Sequence, residues 1–453
     1  MTWTTYRFAK GTGANCVSRR ACAALAAALL LVPAWSPVVQ ADSNWWRPSF
    51  MRDDSSSRQE DRARREQVRN ELQQRFEPLG KNTIAYVSKE MIERLRGGIE
   101  KYRAIVQAGG WGQLSEGRTL RINDTGEDIR ILRHRLVMTG DMLDSGRRSW
   151  AFDSEMQDGV ARFQTRHGLR VTGVVDARTR AALNVPAQHR LRQLELNMQR
   201  IYDLSEISSA EKYVLVNAPG YTLQAVEKSG LAFESGVIVG RPDRQTPEVS
   251  AKIIELNFYP FWRVPDSISS KDLIPAIRKD INYFYKEHFS VLPTWGAKPF
   301  DPQAVNWNSD AVYNYKFRQD PGPHNALGLV RINMPNKHTV YLHDTPLKHL
   351  FAQSSRAFSS GCVRVERVFD LAGWLVEGQD DWGPMKVQTV LAAGQAEDVK
   401  LKKPVPVHFV YLTAWVADSG APNFRPDIYG KDGAAEAGAD DEAAPNDARS
   451  ITP

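Results

Sequence analysis

One cysteine and one histidine, nineteen positions apart, have the residue types of a thiol nucleophile and its base: Cys362 in Ser-Ser-Gly-Cys-Val-Arg and His343 in Tyr-Leu-His-Asp-Thr-Pro. A thiol is useful as a nucleophile when a cation, a hydrogen-bonding base or a helix N-terminus stabilises its thiolate. Val365, Val368, Phe369, Ala372, Leu375 and Val376 follow at helical spacing. Cys362 is therefore expected about one residue before a helix, with backbone amides turned toward the reacting centre. Gly361 permits close backbone approach, and its amide with that of Cys362 could hold an oxyanion. Ser359 and Ser360 could cap the helix or orient groups. The competing reading of Cys362 is a buried inert thiol. Against it stand the polar turn, Arg364 two positions on, and the lack of a second cysteine after residue 22.

The elements that must position this pair belong to a chain of 453 residues, long enough for two or three domains. Residues 1–41 carry Arg7, Lys10, Arg19 and Arg20 and no acid, then an apolar run from Ala21 to Val32, then Val39-Gln-Ala41. That order is the pattern of a cleaved export signal, and the run falls short of the ~20 residues a membrane span needs. Periplasmic localisation is the expectation. Cleavage would remove Cys16 and Cys22, so the mature chain would have no internal disulfide. Taking those four bases from a net charge of +6 leaves +2, which gives no argument for nucleic acid. His288, His338, His349 and His408 have no partners at ligand spacing, so neither metal nor cofactor is expected.

The architecture expected is α+β and multidomain. Residues 42–80 are highly charged and read as a solvated helix or a flexible arm, in either case a loosely attached spacer. Residues 81–125 hold a helical scaffold, with Ser88 as its opening and Gly109-Gly110 as its stop. Residues 126–185 carry three short helical patterns, and 186–210 an amphipathic connector helix. From 211 to 416 the period changes to two, in runs such as Tyr213-Val-Leu-Val216 and Ile253-Ile-Glu-Leu-Asn-Phe258. Within that β-rich domain the pattern stops over 281–323, where aromatic residues crowd among prolines, as in an inserted cap or lid. Residues 417–453 read as a disordered acidic tail.

Two family resemblances emerge. Phe163-Gln164-x-x-His167-Gly168-Leu169, followed by Val171-x-Gly173-x-Val175-Asp176-x-x-Thr179 and Ala182-Leu183-Asn184, resembles the three-helix peptidoglycan-binding domain. From the residues alone, Gln164, His167 and Gly168 read equally well as helix termination and packing. Ser360-x-Cys362-Val-Arg364, preceded by His343-Asp344-Thr-Pro346, is similar to the catalytic motif of the L,D-transpeptidases, in particular the large periplasmic ones. Trp262-x-Val-Pro265, Pro321-Gly-Pro-x-Asn325-x-Leu-Gly328 and Tyr341-Leu-His-Asp fall in that family's order, over about residues 85 to 415. Smaller members have a histidine directly before the Gly-Cys pair, where this chain has Ser360.

The resemblance implies two-step acyl transfer on peptidoglycan: Cys362 attacks a tetrapeptide stem, D-alanine leaves, and a neighbouring stem's amine takes the acyl group in a 3→3 cross-link. It implies His343 as base, with Asp344 as the orienting residue through main chain or carboxylate. Tyr341, two positions before His343 on a strand, faces the same side, as oxyanion or substrate contact or as a packed aromatic. Arg364 either binds a stem carboxylate or closes a structural salt bridge. Ser360 and Asn325 are candidate substrate contacts, with a turn role as the alternative for Asn325. Hydrolysis by the same Cys/His pair, and a non-catalytic wall-binding scaffold, are the competing functions.

Overall fold

The computed structural model describes residues 54–80, 82–146 and 149–433, and the expected export signal lies outside them. The chain divides into two compact units, Met1–Glu60 and Asp61–Pro453. Of the first, only the opening turns of helix α1 (Asp54–Phe76) are described.

In the second unit the charged segment is helical, one of the two forms its sequence allows, but its end is docked rather than loose. Leu72 and Phe76 are buried against Ala161 and Val171, with Val68 packed on the same cluster. The few apolar residues of this charged stretch fall at i, i+4 and i+8, which puts them on one stripe. Helix α2 (Lys89–Gln107) opens with the Ser88 side chain accepting from the Met91 amide. It buries Met91, Leu95, Ile99, Tyr102 and Ile105 in a core shared with Leu191, Leu194 and Ile201 of α6 (Ala187–Asp203). Between them lie α3 (Glu127–Thr139), α4 (Ser154–Arg166) and α5 (Ala177–Asn184), packed around Leu132, Leu136, Phe152, Met156, Val160 and Phe163.

From β1 (Lys212–Asn217) the chain is mostly strand: β2 (Thr222–Glu227), β3 (Gly230–Gly240), β4 (Val249–Phe258) and β5 (Trp262–Arg263). Short helices follow, α7 (Asp266–Ile268), α8 (Ile274–Lys279) and α9 (Asn282–Lys286), and then β6 (Phe289–Leu292) and β7 (Lys316–Gln319). Next come β8 (Val330–Asn333), β9 (Leu342–His343), β10 (Ala357–Ser359) and β11 (Val363–Val365). Helices α10 (Val368–Val376) and α11 (Pro384–Ala393) lead to β12 (Glu397–Val410), β13 (Ala414–Val416) and β14 (Pro422–Phe424).

Nine of these strands form one sheet in the order β10-β3-β11-β9-β8-β4-β12-β1-β2, and a further β3–β2 pairing closes it on itself. Closure removes most free edges and gives the sheet an enclosed apolar core. Val214, Val216, Leu256, Phe258, Ile332, Val363 and Val365 belong to that core.

The cap is larger than the sequence pattern suggests. It starts near Trp262, because β5, β7 and β6 make a separate three-stranded sheet in that order. Its own core of Trp262, Leu273, Ile274, Phe284, Val291 and Phe317 shows it to be a packed subdomain rather than an irregular loop. The stretch read as a disordered tail from 417 also departs from expectation as far as residue 433. Phe424 is buried, the Tyr429 hydroxyl donates to the Gly240 carbonyl at 2.7 Å, and Asp432 pairs with Arg200 at 2.7 Å. These three anchors outweigh the Gly, Ala and Asp content, and residues 434–453 lie outside the described residues. Among the described residues no helix is long and apolar enough to cross a membrane.

Candidate active site

Strand β9 lies between β8 and β11. In the parallel β11–β9 ladder Arg364 is opposite His343, and in the antiparallel β8–β9 ladder Arg331 is opposite His343. Side chains alternate along strands, so Tyr341 shares a face with His343 and Cys362 shares a face with Arg364. Five polar side chains, Arg331, Tyr341, His343, Cys362 and Arg364, thus stand on one face of the sheet. The Val363 amide donates to the Tyr341 carbonyl at 3.0 Å, which ties the cysteine turn to β9. The Tyr341 and His343 rings meet edge to face at 5.7 Å, and the Arg331 guanidinium lies 5.7 Å from the Tyr341 ring centre.

Cys362 leads into strand β11, and α10 begins only at Val368. The helix-terminus expectation is therefore corrected: the periodicity seen in the sequence belongs to α10, but a strand and a turn separate it from the thiol. Activation must come from side chains instead. Burial pushes the Cys362 thiol up to about 11, opposed by hydrogen bonds from Tyr341 and by the positive charges of Arg364 and Arg331. His343 is fully buried, and burial together with the Arg364 charge pulls it down to about 3. Both groups are thus neutral near pH 7.

Asp344 acts on His343 through its main chain. His343 Nδ1 donates to the Asp344 carbonyl at 2.5 Å, which leaves Nε2 as the unprotonated nitrogen. That nitrogen is buried without a hydrogen-bond partner. A bare lone pair held away from water is the form a general base requires. The Asp344 carboxylate serves the backbone, accepting from the Leu329 amide at 2.9 Å and pairing with Lys348. Gly328, at φ +61°, makes room for it, since a Cβ there would come 2.4 Å from Asp344 Cγ.

The remaining predicted residues divide. Gly361 has φ +119°, and its amide donates to Ser359 Oγ at 3.1 Å, so that amide is already engaged and the oxyanion expectation passes to Cys362 and Tyr341. Thr246 Oγ1 donates to the Gly361 carbonyl at 2.9 Å and fixes the turn. Ser360 Oγ accepts from Arg244 at 3.1 Å. Arg364 is fully buried on strand β11, with its acidity shifted by burial to about 10. It faces the thiol and the imidazole rather than the surface. Asn325 is fully buried; its amide donates to the carbonyls of Pro260 at 3.1 Å and Asp320 at 2.9 Å, and its oxygen accepts from the Leu327 amide at 2.8 Å. It shapes the return from the cap and does not line the cleft.

One residue at the site escaped the sequence reading, and a second was read only as part of a motif. Arg331 is held by Asn257 Oδ1 at 3.0 and 2.9 Å. Trp262 is buried in the core of the cap, against which Tyr341 also packs. The alternation of Val330-Arg-Ile-Asn333 carries a signal for Arg331, and Trp262 stood in the motif Trp262-x-Val-Pro265 with no role assigned to it.

Residues 211–390 match the L,D-transpeptidase catalytic domain (YkuD). The chain carries an L,D-transpeptidase catalytic domain. Residues 125–183 match the "Putative peptidoglycan binding domain", which covers α3 to α5. The "Putative L,D-transpeptidase" of Haemophilus influenzae is 36% identical over 241 residues, 53% of this chain and 48% of that protein, so the chain spans about half the length of this relative. The solved L,D-transpeptidase from Mycobacterium smegmatis is 10% identical over 44% of this chain and 59% of that one, with a TM-score of 0.22. For the L,D-transpeptidase (Yku) from Stackebrandtia nassauensis the values are 15%, 66%, 97% and 0.25. The transpeptidase domain holds all five polar residues of the β8–β9–β11 face.

In the peptidoglycan-binding domain the motif residues are structural. The Gln164 amide donates to Thr172 Oγ1, the Val174 carbonyl and Thr179 Oγ1, and its oxygen accepts from the Thr172 and Gly173 amides, which saturates a fully buried side chain. His167 is buried between Phe163 and Phe424, with ring centres 3.7 and 5.4 Å away.

Proposed function

We propose that the protein is an exported peptidoglycan L,D-transpeptidase forming 3→3 cross-links by cysteine acyl transfer. The observation that carries this reading is the sharing of one sheet face by Cys362 and a neutral, Nδ1-anchored His343, inside the segment that matches the transpeptidase domain. The Cys362 thiol gives its proton to His343 Nε2 as sulfur attacks the carbonyl of the third residue of a donor stem. The departing D-alanine nitrogen takes that proton, leaving a thioester. A side-chain amine of a second stem then attacks, passing its proton to His343, and the regenerated thiol recovers it. Tyr341 and the Cys362 amide steady the oxyanion, while Arg331 and Arg364 favour the thiolate.

The purified chain incubated with disaccharide tetrapeptide should yield cross-linked dimers and free D-alanine. Tripeptide without dimer would replace transfer with hydrolysis, and a Cys362→Ala variant that still forms dimers would remove the cysteine from the mechanism.

A further inference from the structure

Within the Asp61–Pro453 unit a cleft of about 1070 Å³ opens between the turn after α4, strands β2 and β3, and the loop before β10. It shares no lining residue with the Cys362 face. Two of its lining cations are held by neutral main-chain oxygens. Arg356 donates to the carbonyls of Val237 at 3.2 Å, Gln353 at 3.2 Å and Tyr221 at 3.1 Å. Arg425 donates to the carbonyls of Arg166 at 3.0 Å and Phe424 at 2.8 Å. Burial draws both below the ordinary arginine range, Arg425 to about 10, the mark of positive charge kept in poorly solvated surroundings. Such charge favours an approaching anion.

The peptidoglycan-binding domain contributes directly. Gly168 has φ +66°, and a Cβ there would stand 2.7 Å from Arg425 Cδ and Nε, so this glycine is the seat of the arginine. Two residues on, Arg170 is exposed at the rim. Glu234 and Glu366 supply the opposite sign, with Glu366 near enough to act on the charge of Arg356. A lining of both signs complements a chain that carries carboxylates and a free amine.

We propose that this cleft docks a peptidoglycan peptide stem other than the one being cleaved, its carboxylates on Arg425 and Arg170 and its side-chain amine on Glu234 and Glu366. The identity of the ligand rests on the functional reading above. Such a site would hold the wall on the enzyme and raise the local concentration of stems.

The probe is soluble disaccharide tetrapeptide, added to the full chain with Cys362 alkylated, and the readout is amide hydrogen exchange. Saturating probe should protect amides in 168–171 and 231–236. Arg170→Glu should raise the half-saturating concentration about fivefold or more with the thermal midpoint unchanged, since an exposed charge is reversed. Equal protection of the variant at equal probe, or no protection of these amides, overturns the proposal. Dimers formed by the unmodified enzyme without this protection would reject the cleft alone, and protection without dimers would reject the transpeptidase reading while the cleft stands.

Discussion

His343 Nδ1 and the Asp344 main-chain oxygen are 2.5 Å apart, so the residue after the base orients it with its backbone and leaves its carboxylate free for other work. Asp344→Asn retains an acceptor for the Leu329 amide and loses only the half-exposed Lys348 pair, worth about 1 kcal/mol at most. Its cross-linking rate should stay within roughly threefold of wild type, whereas His343→Ala should lose about a thousandfold, the range of general-base removal. Equal damage in the two variants would transfer the orienting role to the carboxylate.

Tyr341→Phe keeps the ring beside Arg331 and His343 and deletes the hydroxyl that bonds Cys362. The thiol should titrate higher, and iodoacetamide labelling near pH 8 should slow roughly three- to tenfold. An unchanged labelling profile would reduce Tyr341 to packing.

The titration of His343 makes a stability prediction with a definite sign. Its folded value, about 3, lies below the ordinary histidine value near 6.5, so the unfolded chain binds the extra proton first. The contribution is complete above about pH 6.5 and is lost as pH falls toward 3. His167, held well below its usual value by burial and by the Arg166 charge, adds in the same sense. Denaturant midpoints should therefore decline from pH 6.5 to 4, and His343→Gln should flatten part of that decline. A slope identical in the variant would mean His343 is not buried neutral in solution.

Phe76 is only 2% exposed and packs in the cluster of Leu72, Ala161 and Val171. Phe76→Ala should cost about 3 kcal/mol or more in denaturant unfolding. A change under 0.5 kcal/mol would return this helix end to the status of a loose spacer.

Much of the architecture was legible because periodicity is local. The helical spacing around Ser88, the Asp176 cap of α5 and the alternation in β1 and β4 all follow from neighbours in the chain, and each element stands where its pattern falls. The cap and the C-terminal segment were misjudged for one reason. Trp262, Phe317, Phe424 and Tyr429 find their burial against residues distant in sequence, which no window of ten or fifteen residues contains.

The sequence by itself determined which side chains carry the chemistry: one cysteine in a Ser-Ser-Gly turn, one histidine before Asp-Thr-Pro, and a three-helix motif upstream. Only the tertiary structure decided how they are activated. The order β8-β9-β11 sets Arg331 and Arg364 on either side of His343 and replaces the expected helix terminus with two strand-borne cations. Strand order depends on pairings between segments far apart in the chain, and burial on what those pairings enclose, so charge state and tautomer at this site are properties of the closed sheet.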